Sequence, residues 1–403
     1  MLYIVKGGSW VAFGQTFNSI FSLVLIIAFA NLLPKETYGT YRYILSIAGI
    51  LNIFTLTGMN EAVARTVAKG GDGVLRPAVS YQLKWNLLMF LASSILGGYY
   101  LINGDSMFGL SIIILGIFTP LTLAFNTYGS YLEGKKKFGI ANIFSIISTF
   151  IYSAGTLIIL LFTDSIEWLI FIYALATFIP SCLFYMFVVR KFNLSSSTDI
   201  SNTLKYGRSL TYLRLIDPIV SQIDKIILAH FWGPAQLATY SLASAIPARA
   251  TLFIKGWVAV GFPKFSEKNI QEINTVFYKR MFQGMSIGFI MMLLYVFISP
   301  YLFIYLLPQY TEGIFYSQLL AISFIFALPN RYISLIISSQ GLTQILFKRS
   351  FLISMINLLL YITCGIWGGL LGLIIANILS TLISLILNIV MWQTAFKSKN
   401  PSY

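Results

Sequence analysis

This sequence predicts an all-α protein that crosses a membrane many times, and three observations lead there. Its residues are 57% hydrophobic and 10% charged, with a mean hydropathy of +0.80, whereas soluble domains carry roughly 25% charged residues. The apolar residues fall in continuous runs of about 20 residues, long enough to span the hydrocarbon core as helices, where barrel strands would be short and alternating. The third observation is that the cations gather in alternate loops, as they do on the cytoplasmic side of a polytopic membrane protein.

In chain order, the spanning runs lie near 9–33, 41–63, 83–102, 107–131, 138–162, 167–189, 208–232, 236–260, 281–304, 314–338, 348–367 and 369–392. They make about twelve transmembrane helices. The first imitates a secretory signal, with Ala28-Phe29-Ala30 resembling a cleavage site. Its apolar stretch is longer than the usual ~7–15-residue signal core, so it is expected to be retained as a span. Turn chemistry marks the joins at Pro34, Gly70-Gly71-Asp72-Gly73, Asn103-Gly104-Asp105, Gly233-Pro234, Pro308 and Gly368-Gly369. Asp217-Pro218 is a local break point in the seventh run. Pro120, Pro180, Pro247, Pro300 and Pro329 are the other prolines inside runs, where membrane helices tolerate kinks.

Loop charge sets the orientation. One side carries Lys6, then Arg65 to Lys84, Lys135-Lys136-Lys137, Arg190 to Arg208, Lys264 to Arg280, Lys348-Arg349, and Lys397 with Lys399. The other carries Lys35 with the acids Glu36, Asp105, Asp164, Glu167 and Glu312. Both termini are therefore expected in the cytoplasm. The net charge of +14 is explained by these loops, which argues against nucleic acid as a partner. Cys182 and Cys364 lie inside apolar runs, so no disulfide framework is implied, and a lone histidine with two thiols offers no zinc set. No phosphate-cradling glycine loop, catalytic constellation or large extramembrane segment is present, so neither a catalytic residue nor a cofactor is expected.

The chain also repeats itself. Ile26 to Pro34 followed by Tyr41 resembles Ile226 to Pro234 followed by Tyr240, half a chain later, although Ala238 stands where the first copy has Gly39. Two halves of about six helices each, 1–195 and 196–403, would be parallel repeats with a shared site between them. A serine-rich stretch, Ser195-Ser196-Ser197, joins them.

Charge inside the apolar runs points to function, because each charge at mid-membrane costs about 2.5–3.5 kcal/mol. The run 208–232 carries Arg214, Asp217, Asp224 and Lys225. As one continuous helix it would hold all four, with Ser221, within an arc of roughly 100°. Such a stripe must face the protein interior or a hydrated cavity. Arg42, Arg249, Lys255 and Arg331 are the other embedded cations, and Glu61 is a further acid near a helix end. If Asp217 and Asp224 pair with Arg214 and Lys225, the remaining cations are in surplus, and a cationic cavity selects an anion; the planar fork of arginine suits phosphate. Local pairing, or snorkelling of Lys255 and Arg42 to the interface, is the plainer alternative. The aspartates read either as ion-pair partners or as sites for H⁺ or Na⁺ coupling. His230 reads as an interfacial side chain.

Leu33-Pro34-Lys35-Glu36-Thr37-Tyr38-Gly39-Thr40-Tyr41 resembles the P-x-x-y-G-x-Y loop after the first helix of Wzx-type polysaccharide-unit flippases. These belong to the multidrug/oligosaccharidyl-lipid/polysaccharide exporter superfamily. Ile223 to Leu228 with Gly233-Pro234 and Tyr240 is similar to the seventh-helix pattern there, and Gly365 to Gly372 to its eleventh-to-twelfth-helix turn. The resemblance implies a V-shaped, MATE-like bundle around a cationic cavity, in a bacterial inner membrane. It implies transfer of undecaprenyl-pyrophosphate-linked oligosaccharide, as for O-antigen or capsule, to the outer leaflet, with a polysaccharide polymerase as a further partner. On that basis Arg214, Arg249 and Arg331 would hold the pyrophosphate, with Lys225, Lys255 and Arg42 supporting and Asp217, Asp224 and Glu61 balancing charge or coupling to an ion. The rival readings are a drug/cation antiporter of the same superfamily, which calls for an acidic cavity, a membrane glycosyltransferase or polymerase, which calls for a large outer loop, and a structural membrane protein.

Overall fold

The computed structural model describes residues 2–192, 194, 200–259, 270–340 and 343–399. Among them the chain is helical and contains no strand. Among the described residues eight helices are long and apolar enough to cross a membrane, with a ninth if the bent pair Lys35–Phe54 and Met59–Ala68 is one span. One of the eight, Lys348–Thr394, holds two of the expected runs. The remaining expected runs are the broken seventh and the helix after it, and the chain is a multi-pass, all-α membrane protein. It divides into two compact units, Met1–Gln222 and Ile223–Tyr403.

In the first unit, α1 (Leu2–Leu32) ends before Pro34, whose φ of −57° leads directly into α2 (Lys35–Leu51). A single 3₁₀ turn follows, and α3 (Met59–Ala68) then departs at 58°. The bend leaves backbone groups that side chains satisfy. Leu56 N–H donates to Asn86 Oδ1 at 3.4 Å, and Gly58 N–H donates to Thr211 Oγ1 at 3.0 Å. Without water in the hydrocarbon, each such group left unpaired would cost several kcal/mol.

Helices α4 (Leu75–Ile102) and α5 (Ser106–Phe125) form a tight hairpin. Gly104 turns it with φ +84°, and Asp105 caps α5 by accepting from Phe108 N–H at 3.2 Å. Gly97 and Gly109 let the two backbones approach closely, since a Cβ on Gly97 would sit 2.8 Å from the Gly109 carbonyl oxygen. Then come α6 (Thr127–Gly134), α7 (Phe138–Leu160) and α8 (Ile166–Lys191). Met59, Val63, Tyr131, Leu132 and Val188 are among the buried core where these helices pack. A polar chain crosses the same core: Gln82 Nε2 donates to Thr127 Oγ1, which donates to Asn60 Oδ1, each at 2.9 Å.

The expected continuous helix over 208–232 is not formed. The chain instead makes α9 (Ile200–Leu213), a single turn α10 (Asp217–Val220) and α11 (Ile223–Trp232). Pro218 is the physical reason, since its ring clashes with the carbonyl of Arg214 and restricts Asp217. The backbone responds with tighter i→i−3 bonds, Arg214 N–H to Thr211 O and Asp217 N–H to Arg214 O, both at 3.1 Å. Helix α9 packs on α3 of the first unit, where Thr66 and Thr203 hydroxyls meet at 2.9 Å and Gly207 lies against Met59. The division between compact units consequently falls at Gln222–Ile223, inside the expected seventh span, whereas the sequence repeat suggests 195/196.

The second unit contains α11, α12 (Pro234–Ala259), α13 (Ile270–Leu306), α14 (Gly313–Ala321), α15 (Ser323–Ser339) and α16 (Thr343–Lys399). Gly233, with φ +90°, makes the corner between α11 and α12. Gly369 interrupts α16 at φ 55°, ψ −135°. The indole of Trp232 covers Gly369 and donates to Gly365 O at 3.1 Å, leaving no room for a side chain at the turn. Phe277 stacks on Trp392 with centroids 5.5 Å apart, beside buried Ile333 and Ile336. All five expected intrahelical prolines lie within helices.

Candidate anion-binding site

The second unit holds a cavity of about 510 Å³ between α12, α14, α15 and α16. Arg331 and Arg349 line it, together with the amides of Asn330 and Asn377 and the hydroxyls of Ser244, Ser323, Ser334, Thr381 and Ser384. No carboxylate and no aromatic ring is among the described lining residues. The guanidinium of Arg349 lies close enough to Arg331 to feel its charge.

Local structure explains how they meet. Arg331 lies in α15 and Arg349 in α16, and both stand equally far in sequence from Gln340, where α15 ends. Pro329 opens the backbone of α15 just before Asn330, which is held on both sides: its Nδ2 donates to Thr381 O at 2.9 Å, and its Oδ1 accepts from Asn388 Nδ2 at 2.7 Å. This locks the wall from which Arg331 projects. Arg349 is half-buried, and its Nε–H is enclosed with no acceptor among the described residues. A buried donor left unsatisfied costs about 1–3 kcal/mol, so it marks a place where an acceptor belongs.

Arg349 is a correction to the sequence reading, which counts it among the cytoplasmic loop cations. Helix α16 starts at Thr343, ahead of its apolar stretch, and carries Lys348 and Arg349 as helical residues. The other sequence candidates scatter. Arg331 is in the cavity. Arg249 lies half-buried in α12, two residues beyond the cavity residue Pro247, and is not itself part of the lining. The side chain of Lys255 lies outside the described residues.

The continuous helix expected to carry the charged stripe of residues 208–232 on one face is broken, and the stripe's members lie on separate pieces. Arg214 belongs to the first unit and pairs with Glu61 at 2.8 Å, with both side chains nearly half exposed. Exposed pairs of this kind are worth about 0–1 kcal/mol. Asp217 opens the single turn α10. In the second unit Lys225 sits 3.2 Å from Asp224 Oδ1, and the Tyr240 hydroxyl donates to Asp224 Oδ2 at 2.8 Å. Asp224 is 8% exposed, a buried carboxylate with its charge matched locally. Its charge also reaches Tyr361, whose hydroxyl accepts from the cavity residue Asn377 at 3.4 Å. Arg42 lies in α2 of the first unit among tyrosines. His230 is exposed, and Cys182 and Cys364 are free thiols. Among the described residues no group of histidines, cysteines and acids has the arrangement of a metal site.

Comparison with known proteins places this geometry in context. A curated relative from Shigella flexneri, described as "Putative O-antigen transporter", is 23% identical over 288 residues. That match covers 65% of this chain and 66% of the relative. Among solved structures, the lipid II flippase MurJ in an inward closed conformation superposes with a TM-score of 0.70 at 16% identity, over 94% of this chain and 86% of that one. A multidrug resistance MATE family transporter of the MOP superfamily, inward-facing, gives a TM-score of 0.69 at 14% identity, over 95% and 96%. These likenesses show the fold. Residues 4–269 match the family described as "Polysaccharide biosynthesis protein", and the chain belongs to that family.

Proposed function

We propose that this protein is a flippase for undecaprenyl-pyrophosphate-linked oligosaccharide, moving the unit from the cytoplasmic to the outer leaflet of a bacterial inner membrane, with both termini cytoplasmic. The observation that carries the reading is the cavity lined by Arg331 and Arg349 with no carboxylate among its described lining. A pyrophosphate cannot cross hydrocarbon unaided, because an isolated buried charge costs tens of kcal/mol by idealised estimates. Two guanidinium forks offer charge-assisted, bidentate hydrogen bonds to phosphate oxygens, and the surrounding amides and hydroxyls complete a hydrated polar path. The prenyl chain stays in lipid throughout. Arg249 is assigned to the approach to the cavity, and Lys225, matched to Asp224, to its electrostatic surroundings. Coupling to H⁺ or Na⁺ is assigned to Asp224, the buried acid whose charge reaches Tyr361 beside the cavity residue Asn377. A polysaccharide polymerase would receive the product. An antiporter for cationic drugs fits less well, because nothing acidic in the described lining would attract its cargo.

The test is leaflet transfer of a fluorescent prenyl-pyrophosphate-linked sugar in proteoliposomes. Arg349→Ala and Arg331→Ala are each expected to slow transfer at least tenfold, equivalent to about 1.4 kcal/mol. Arg65→Ala, at the far end of α3 in the other unit, should stay within twofold of wild type. Equal rates in all four proteins would remove the cavity from the transport path, and no transfer by the wild type would overturn the reading.

A further inference from the structure

The first unit holds a second enclosed cation whose surroundings differ from the cavity just described. Arg42, on α2, is half-buried, and its Nε–H is enclosed without an acceptor among the described residues. Its charge is felt at four tyrosine hydroxyls: Tyr38 and Tyr41 on the same helix, Tyr152 on α7 and Tyr173 on α8. No carboxylate pairs with it among the described residues. Tyr38 and Tyr41 are 3% and 2% exposed and pack against Phe29, with centroids 5.4 and 4.9 Å away, so they form a fixed floor. Tyr152 and Tyr173 meet edge to face at 5.4 Å and remain half-buried, as Arg42 does. Three helices therefore hold one guanidinium and several phenols at one spot.

The geometry points to a binding site for an acidic sugar, with Arg42 taking the carboxylate and Tyr152 and Tyr173 taking the ring. The inference rests on the reading of the chain as an oligosaccharide carrier and adds a second recognition site to it. A guanidinium with an unused N–H suits a carboxylate, and an enclosed donor without an acceptor calls for one. Phenols supply what a pyranose needs besides: hydroxyls that both donate and accept, on flat apolar faces against which C–H groups pack. A site built for phosphate alone gains little from rings, and the arginine cavity of the second unit has none in its described lining.

Two titrations of the full-length protein in nanodiscs separate this inference from the reading beneath it. Inorganic pyrophosphate, titrated against wild type, Arg349→Gln and Arg42→Gln, tests the carrier reading. Methyl glucuronide and methyl glucoside, titrated against wild type, Arg42→Gln and Tyr152→Phe, test the acidic-sugar site. The glucuronide is expected to bind at least tenfold more tightly than the glucoside, to lose at least tenfold in Arg42→Gln, and to lose severalfold in Tyr152→Phe, which keeps the ring. Saturation-transfer NMR on the wild type, independent of any variant's folding, should show transfer from aromatic protons to the pyranose ring. Equal binding of the two sugars, an Arg42→Gln affinity within twofold of wild type, or no transfer from aromatic protons would each overturn the site. So would a loss of pyrophosphate binding in Arg42→Gln with no glucuronide binding to wild type, since Arg42 would then be a general anion contact.

Discussion

At the scale of single residues, small side chains and enclosed polar groups decide more than the apolar bulk does. Gly372 lets the two arms of α16 close at Gly369: a Cβ there would come 1.9 Å from the Cys364 carbonyl oxygen, which is backbone and cannot give way. Gly372→Ala should therefore lower stability by about 1–3 kcal/mol. Gly155, whose nearest neighbours are side chains at 3.6 Å, should accept alanine and gain up to ~1 kcal/mol of helix propensity. Thermal unfolding of both variants in detergent checks the pair, and equal melting temperatures would contradict it. The glycine-rich turn is visible in the sequence as turn chemistry, but the identity of the colliding partner is not, because only the packed hairpin brings Cys364 over Gly372. Arg331 stands out as a cation inside an apolar run. Arg349 does not, since it adjoins Lys348, follows Gly341 by eight residues and has the local composition of a loop. Its distance from Gln340, matching that of Arg331, is the available signal, and it becomes meaningful only if α16 begins before its apolar stretch does.

At the scale of elements, hydropathy locates the helices well, because the cost of unpaired backbone in lipid leaves few alternatives to a helix. It is weakest where a helix is interrupted without losing its apolar character. The seventh run reads as continuous by composition, and a single charged face requires that continuity. Asp217-Pro218 is legible as a break point, yet the consequence, three separate pieces with Arg214 and Asp224 in different units, depends on how much distortion the neighbours accept. Pro218→Ala restores the missing N–H and removes the ring clash. It should allow i→i−4 bonds to return across Arg214 to Asp217 and slow amide exchange there by at least tenfold. Hydrogen–deuterium exchange read by mass spectrometry over 210–222 checks this, and unchanged exchange would show that packing, rather than the proline, sets the break.

At the scale of the whole molecule, the sequence conveys a polytopic helical chain, and its loop charge predicts an orientation. Each compact unit keeps one enclosed guanidinium N–H without an acceptor among the described residues, on Arg42 and on Arg349, in surroundings of different chemistry. The crossover between units carries a consequence for how the polypeptide can be cut. Helix α9 follows the serine-rich stretch in sequence but packs on α3, through Thr203, Gly207 and Thr211. It therefore works as a clasp, a segment of the later half fastened into the body of the earlier one. A protease site placed after Ser195 should yield two fragments that still migrate as one particle on size exclusion and copurify through a tag on either piece. Scission after Gln222 would cut beyond the clasp, leaving α9 with the fragment it already grips.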